Sequence, residues 1–485
     1  MSKTNLIYGV NDKPGIWKTI VFALQQVLAI LAATIVVPVI INTDVDLNAM
    51  GIKPEMSQSA ALLGAGVGTI VYLLFTKFKS PVFLGSSFAF IDSMCVAFSS
   101  AAANVAFSSA TANILLGYTG LIIGAILAGL VYVVIAIAVK FAGTGWINKI
   151  MPATVIGPTV AVIGLSLAKN AVGDLLKGSY LVEQSPTVWV SSANPFIALL
   201  CGLVTLAVVI ICSVYGKKML KMIPFIMGIL AGYAVAAIFT VIGIATSNTS
   251  LMIIDFGKFA NMDLFPDFTF INAIGGIKDV NGAYIASVAV AYIPVAFVVF
   301  AEHLADHKNI SSIIGTDLIK EPGLHRTLLG DGVGSMVGAL FGGCPNTTYG
   351  ESVGCVAISR NASVVTILTA AIICIVSAFI APFMTLLATI PACVMGGVCF
   401  TLYGFIAVSG LKMIQKVDLN ESNNLFTVSV ILIAGVGGLV LNIGKVTLTA
   451  VACALILGIL VNLLGSLGKK KQAQEKVESQ EEKVA

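Results

Sequence analysis

The chain has 485 residues, 58% of them hydrophobic and only 10% charged, and its mean hydropathy is +1.01. Soluble domains carry ~25% charged residues, so a soluble fold is excluded and a polytopic membrane protein is implied. The recurring apolar runs match the ~20 residues of a spanning helix, not the ~10-residue alternating strands of a membrane barrel.

Spans are expected over 17–41 and 57–76. The next stretch, Ser80-Pro81-Val82-Phe83-Leu84-Gly85-Ser86-Ser87-Phe88, differs. Proline removes a helical hydrogen bond and glycine weakens the helix. An extended piece followed by a half-helix from near Ser87 is therefore predicted. Further spans are expected over 114–140, 145–168, 195–214, 223–244, 283–305 and 327–341. Cys344-Pro345-Asn346-Thr347-Thr348-Tyr349-Gly350-Glu351 opens a second stretch, to 359, that reads as extended first and helical after. Spans over 362–387, 391–412, 423–441 and 447–467 bring the total to about fourteen elements. The lysine- and glutamate-rich tail over 468–485 is predicted to be a disordered cytoplasmic end.

Basic residues concentrate in alternate loops, among them Lys77, Lys79, Lys217, Lys218, Arg360 and Lys469 to Lys471. The positive-inside rule makes those loops cytoplasmic, and Lys3, Lys13 and Lys18 place the N-terminus on the same side. Both ends inside require an even number of spans. The first apolar run lacks the form of a cleavable signal peptide. The nine cysteines form no CxxC pair and read as small buried residues.

Leu84 to Ala89 and Pro345 to Gly350 share a pattern: a small or turn residue, two hydroxyls, an aromatic, a small residue. Two interrupted helices at matching positions of two halves mark the binding site of inverted-repeat secondary transporters. Extended backbone in a membrane must find partners, so the two strands are expected to pair near the midplane. Each then leads into a half-helix whose N-terminus offers free N–H donors and a positive dipole end. Phe88 and Tyr349 stand where strand becomes helix and are candidates to sandwich a flat ring. Gly350 permits close backbone approach.

All three histidines, His303, His307 and His325, fall between residues 301 and 351. Ionisable residues inside a membrane are site candidates by default. Glu302 follows an apolar run, where desolvation makes protonation accessible. Asp306 lies four residues on, so it shares a helical face with Glu302, and two such carboxylates can share a proton. His303 and His307 fall on neighbouring faces, and His307 and His325 also fit a polar cytoplasmic loop. Glu351 sits in the first turn of the second half-helix, where the dipole favours its charge. There is no Walker loop, no nucleophile–base pair and no metal set. An ion-gradient-driven transporter is expected, with no enzymatic activity, no cofactor and no nucleic-acid partner; a passive channel is the alternative of a different class.

Glu302-His303, Pro322-Gly323-Leu324-His325-Arg326 and Asn346-Thr347-Thr348-Tyr349-Gly350-Glu351 closely resemble the bacterial uracil permeases of the nucleobase–cation symporter-2 (nucleobase–ascorbate) family. Leu84 to Phe90, Ala142 to Trp146 and Val394 to Val398 are also similar, and the likeness spans about residues 17–467. The resemblance implies an all-α polytopic fold of about fourteen segments in two inverted repeats, segments three and ten being part antiparallel strand and part half-helix. It implies a core domain (17–140 and 283–387), a gate domain (145–244 and 391–467) and a homodimer in the cell membrane. It further implies uracil import by proton symport, a xanthine-type purine symporter being the alternative. The substrate set it implies is Glu302, Glu351, Phe88, Tyr349, Gly350 and Ala33; Ser87, at the start of the first half-helix, joins it as a candidate from the reading of the residues. The proton-coupling set is Glu302, Asp306, His303 and His307. Two positions depart from the family's common pattern: Asp306 and Gln26 each stand where histidine is usual.

Overall fold

Among the described residues, nine helices are long and apolar enough to cross a membrane, or ten if one bent pair counts as a single span. The computed structural model of the chain describes residues 6–44, 47, 50–104, 110–143, 146, 152–185, 188–217, 219–260, 262, 265–443 and 446–484. The first part of the expected span over 145–168 and part of the Ala142 to Trp146 motif lie outside these.

In chain order come α1 (Ile16–Thr43), α2 (Gln58–Phe75), β1 (Leu84–Ser86), α3 (Ile91–Asn104), α4 (Ala110–Ala142) and α5 (Ala153–Ser166). A hairpin of β2 (Leu181–Ser185) and β3 (Val188–Ser191) precedes α6 (Pro195–Tyr215) and α7 (Pro224–Thr246). Then follow α8 (Gly282–Ile314), α9 (Leu324–Gly342), β4 (Asn346–Thr348), α10 (Gly350–Ser359), α11 (Val364–Ala378) and α12 (Ala381–Ala388). The chain closes with α13 (Ala392–Ile414), α14 (Ser422–Val436), the hairpin β5 (Leu441–Ile443) and β6 (Val446–Leu448), and α15 (Ala450–Val484).

Local chemistry sets the helix ends. Ser57 caps α2 by accepting from the Ala60 N–H at 3.2 Å, and Asn281 caps α8 by accepting from the Tyr284 N–H at 2.9 Å. Pro195 starts α6, where its missing N–H is not needed. Gly315 and Gly343 end α8 and α9 in the left-handed region, with φ of 72° and 73°. Packing between helices uses small residues. A side chain at Gly64 of α2 would run into the Gly338 carbonyl of α9, so the two backbones touch directly. Close backbone approach replaces the hydrophobic driving force that lipid removes.

Three stretches differ from the sequence expectation. The span expected over 362–387 breaks into α11 and α12, which meet at 84°. Pro382 lies in the first turn of α12; it lacks an N–H and clashes with a continued helix. The spans expected over 423–441 and 447–467 lose their facing ends to β5 and β6, because Gly437 and Gly438 end α14. Beyond residue 468 the backbone of α15 stays helical to Val484, where no regular structure was expected. Lysine, glutamate and glutamine dominate that stretch, and all are good helix formers.

Candidate functional site

The centre of the molecule holds a two-stranded antiparallel sheet, with Leu84 opposite Thr348, Gly85 opposite Thr347 and Ser86 opposite Asn346. Every residue of both strands is buried. Their outer backbone groups find partners: the Leu84 N–H donates to Thr69 Oγ1 (2.9 Å) and the Phe83 N–H to Ser352 Oγ (3.1 Å). The Ser87 N–H donates to the Pro345 carbonyl at 2.9 Å, and the Tyr349 N–H to the Phe83 carbonyl at 3.2 Å. This satisfies extended backbone far from water. The expected strand pairing is therefore present, and each strand runs into a helix. β1 leads through one 3-10 turn, Phe88–Phe90, into α3. β4 leads through Tyr349 into α10; Tyr349 gives no side-chain cap, and the Glu351 N–H is taken by its own carboxylate, so the other leading N–H donors of α10 carry no side-chain cap.

Beside that N-terminus stand three half-buried carboxylates, those of Glu302, Asp306 and Glu351. Glu302 and Asp306 share one face of α8. Among the described residues Glu302 has no hydrogen-bonding partner, and Glu351 has only its own backbone N–H. Asp306 Oδ2 accepts from Thr348 Oγ1 at 2.8 Å, which joins α8 to β4. Gly350 is exposed, and a Cβ built on it meets one atom only, Asp306 Oδ1 at 3.8 Å. Gly85 is the opposite case: a Cβ there would collide with the Tyr349 ring.

Behind the carboxylates the other face of α8 is dry. His303 and His307 are fully buried, with rings stacked at 3.9 Å between centroids; the polar-loop reading of His307 is thereby corrected. His303 Nε2 lies 3.0 Å from Thr327 Oγ1 and Nδ1 lies 2.7 Å from Asp331 Oδ2. Thr327 sends its hydrogen to the Leu324 carbonyl (3.0 Å), so His303 Nε2 must donate. His303 and Asp331 are then left to share the proton between Nδ1 and Oδ2. The His307 Nδ1–H donates to the His303 carbonyl at 2.8 Å, and Nε2 meets the Tyr72 hydroxyl at 2.7 Å, itself 2.7 Å from Ser80 Oγ. α8 is thus tied to α2 and α9.

The aromatic residues take different places. Phe88 is half-buried and meets Tyr403 of α13 edge-to-face, centroids 6.0 Å apart. Tyr349 is 4% exposed, packs on Gly85, and donates from its hydroxyl to the Ser86 carbonyl at 2.8 Å. Its ring is a buried buttress of the sheet, with little surface free for a sandwich. Ala33 and Ser87 are also buried, at 0% and 1% exposure. Gln26 Nε2 donates to Ser352 Oγ and ties α1 to α10. His325 is half-buried in the first turn of α9, apart from this cluster's hydrogen bonds.

The sequence reading missed Asp331, Thr327, Tyr72, Ser352 and Tyr403. Asp331 had a signal, an acidic residue inside an expected span; the hydroxyl partners had none. Among the described residues no group of His, Cys, Asp and Glu is placed to hold a metal ion.

The chain is similar to solved and curated proteins. It superposes on the transmembrane domain of a cyanobacterium bicarbonate transporter, BicA, with a TM-score of 0.54 at 14% identity, covering 94% of this chain and 98% of that one; this is a likeness of fold. It is 36% identical to the uracil permease of Bacillus subtilis strain 168 over 477 residues, 98% of each chain. It is also 36% identical to the uracil permease of Bacillus caldolyticus over 486 residues, 99% of each chain. A family model described as "Permease family" matches residues 17–444. A multi-pass membrane protein with this fold and these relatives is a transporter rather than an enzyme, and the chain belongs to the Permease family, the nucleobase–cation symporter-2 proteins that its motifs resemble.

Proposed function

We propose that the protein imports uracil across the cell membrane by proton symport. The observation that carries this reading is the surface in front of α10. There an exposed glycine with no steric need to be glycine stands at a helix N-terminus among three half-buried carboxylates. Uracil suits it. Its N–H groups need acceptors, which Glu302 and Glu351 supply. Its carbonyls need donors, which the leading N–H groups of α10 other than that of Glu351 supply. Phe88 covers one face of the ring. Tyr349, Ser87 and Ala33 support the wall from behind. Both relatives with the highest identity cited above carry the name uracil permease.

In this reading Glu302 and Asp306 carry the proton, and His303 and His307 hold their helix from the dry side. The fourteen-segment inverted repeat, the core and gate domains, the homodimer and the cytoplasmic termini belong to the same proposal; charge distribution supports the orientation. The β1–β4 pair, one strand from each half, supports the repeat.

Uptake of labelled uracil tests the reading. Unlabelled uracil is expected to compete, xanthine is not, and a protonophore is expected to abolish accumulation. Competition by xanthine alone overturns the substrate, and protonophore-insensitive uptake overturns symport in favour of a channel. Gly350→Ala sharpens the test. The protein has room for the added methyl, so folding is expected to be unchanged, while uracil affinity falls roughly tenfold or more. Wild-type affinity in that variant removes Gly350 from the site.

A further inference from the structure

We propose that Thr348 is a positioning residue that directs the coupling proton to one oxygen of Asp306, Oδ1, and so makes that proton a donor to the bound substrate. The inference rests on the functional reading above and deepens it.

Thr348 is fully buried, and its hydroxyl hydrogen has one acceptor among the described residues, Asp306 Oδ2 at 2.8 Å. A buried hydroxyl without an acceptor is destabilising, so this bond persists whichever charge state Asp306 holds. Oδ2 is therefore reserved as an acceptor, in the carboxylate and in the neutral acid alike. A proton arriving from water must bond to Oδ1. That oxygen lies 3.8 Å from the Cβ position of Gly350, on the open side of the cluster. The acid is then an O–H donor aimed at the space in front of α10. A uracil carbonyl there accepts from it. The ionised form instead sets oxygen lone pairs against that carbonyl. Substrate and proton bind together and leave together: the O–H bond forms with a proton from water on loading and returns it to water on release.

The position of Thr348 makes it suited to this. It pairs with Leu84 in the β1–β4 sheet, two residues before α10 begins, so the rigid strand fixes the carboxyl plane relative to the half-helix. The charged and titratable groups around Asp306 are Glu302, His303 and His307 on α8, Glu351 on α10, Asp331 on α9, Tyr72 on α2 and Tyr132 on α4. No lysine or arginine acts on Asp306 in that set, and Lys308 is exposed. The pH response of Asp306 is thus set by its burial, by the Thr348 bond and by the neighbouring acids.

The experiment uses the full-length protein in detergent, titrated calorimetrically with uracil across pH, with proton uptake read from buffers of different ionisation enthalpy. Wild-type affinity is expected to fall by up to about tenfold per pH unit on the alkaline side, with net proton uptake on binding. Thr348→Val is expected to flatten that dependence and lower the proton uptake, Thr348→Ser to restore both, and Asp306→Asn, which leaves Glu302 as the remaining proton carrier, to lose most of the pH dependence. A wild-type slope and proton uptake in Thr348→Val overturn the proposal. If Thr348→Val does not yield monodisperse protein, Thr348→Cys, a weak donor, takes its place with the same expectation. A wild-type protein that binds no uracil at any pH overturns the functional reading instead. The positioning role is then decided on the protein alone by pH-difference infrared spectra. A carboxyl band lost in Asp306→Asn and shifted in Thr348→Val but not in Thr348→Ser upholds it; a band indifferent to Thr348→Val overturns it.

Discussion

Glu351→Gln is expected to abolish uracil uptake while leaving the fold intact. Glu351 lies in the first turn of α10, with no partner from another residue among those described. Its side chain is therefore not spent on holding the protein together. A carboxylate offers acceptors only, whereas the amide of glutamine presents a donor on one side. A ring N–H facing that donor loses its bond and meets a like dipole. The negative charge that matches the N-terminal end of the α10 dipole is lost as well. Removing one partner of a buried charged hydrogen bond costs ~2–5 kcal/mol, or a factor of roughly 30 to several thousand in affinity. Glu302→Gln is expected to act as strongly, because Glu302 also lacks an internal partner. Uptake into vesicles, with size-exclusion profiles as the control for folding, checks both. Near-wild-type uptake in either variant removes that residue from the site.

Gly85→Ala is expected to act on stability instead. Gly85 lies opposite Thr347 in the central sheet, and the added methyl runs into the Tyr349 ring. The ring has nowhere to go: it is 4% exposed, and its hydroxyl is held by the Ser86 carbonyl at 2.8 Å. Overpacking of this kind costs ~1–3 kcal/mol, and displacement of the ring adds the loss of a buried hydrogen bond, about 1 kcal/mol. A thermal-stability assay in detergent is expected to show a clear fall in Tm. The same assay on Gly350→Ala is expected to show none. An unchanged Tm for Gly85→Ala shows that the sheet and Tyr349 relax together, contrary to the rigid junction on which the position of α10 depends.

The two glycines mark how far the site was legible from composition and motif. Pro81 and Gly85 announced an interruption, and Cys344 to Glu351 announced a matching one. Both are strand followed by helix, because a membrane-buried chain that stops being helical has few ways to satisfy its backbone. Glu302 and Asp306 shared a face by spacing alone. Tyr349 was less legible. Its place beside a half-helix start fitted a ring-stacking role, but its exposure depends on whether Gly85 leaves a recess for it across the sheet, and it does. His307 was misplaced for a related reason. α8 runs on to Ile314, past the apolar run, and Tyr72, 235 positions away in sequence, gives the His307 ring a polar partner that no local pattern encodes.

From its residues alone this chain had to be a many-span helical membrane protein with two interrupted helices and carboxylates near one of them. Hydropathy, proline and helical spacing act over short stretches, so sequence carries them directly. Only the tertiary structure decided which face of α8 is wet. Glu302 and Asp306 look toward α10, while His303 and His307 are closed in by Asp331, Thr327 and Tyr72, partners as many as 235 positions away. It also decided that α11 and α12 meet at 84° and that Phe88 meets Tyr403. Such contacts are chosen by how helices pack, and packing depends on shape across the whole bundle.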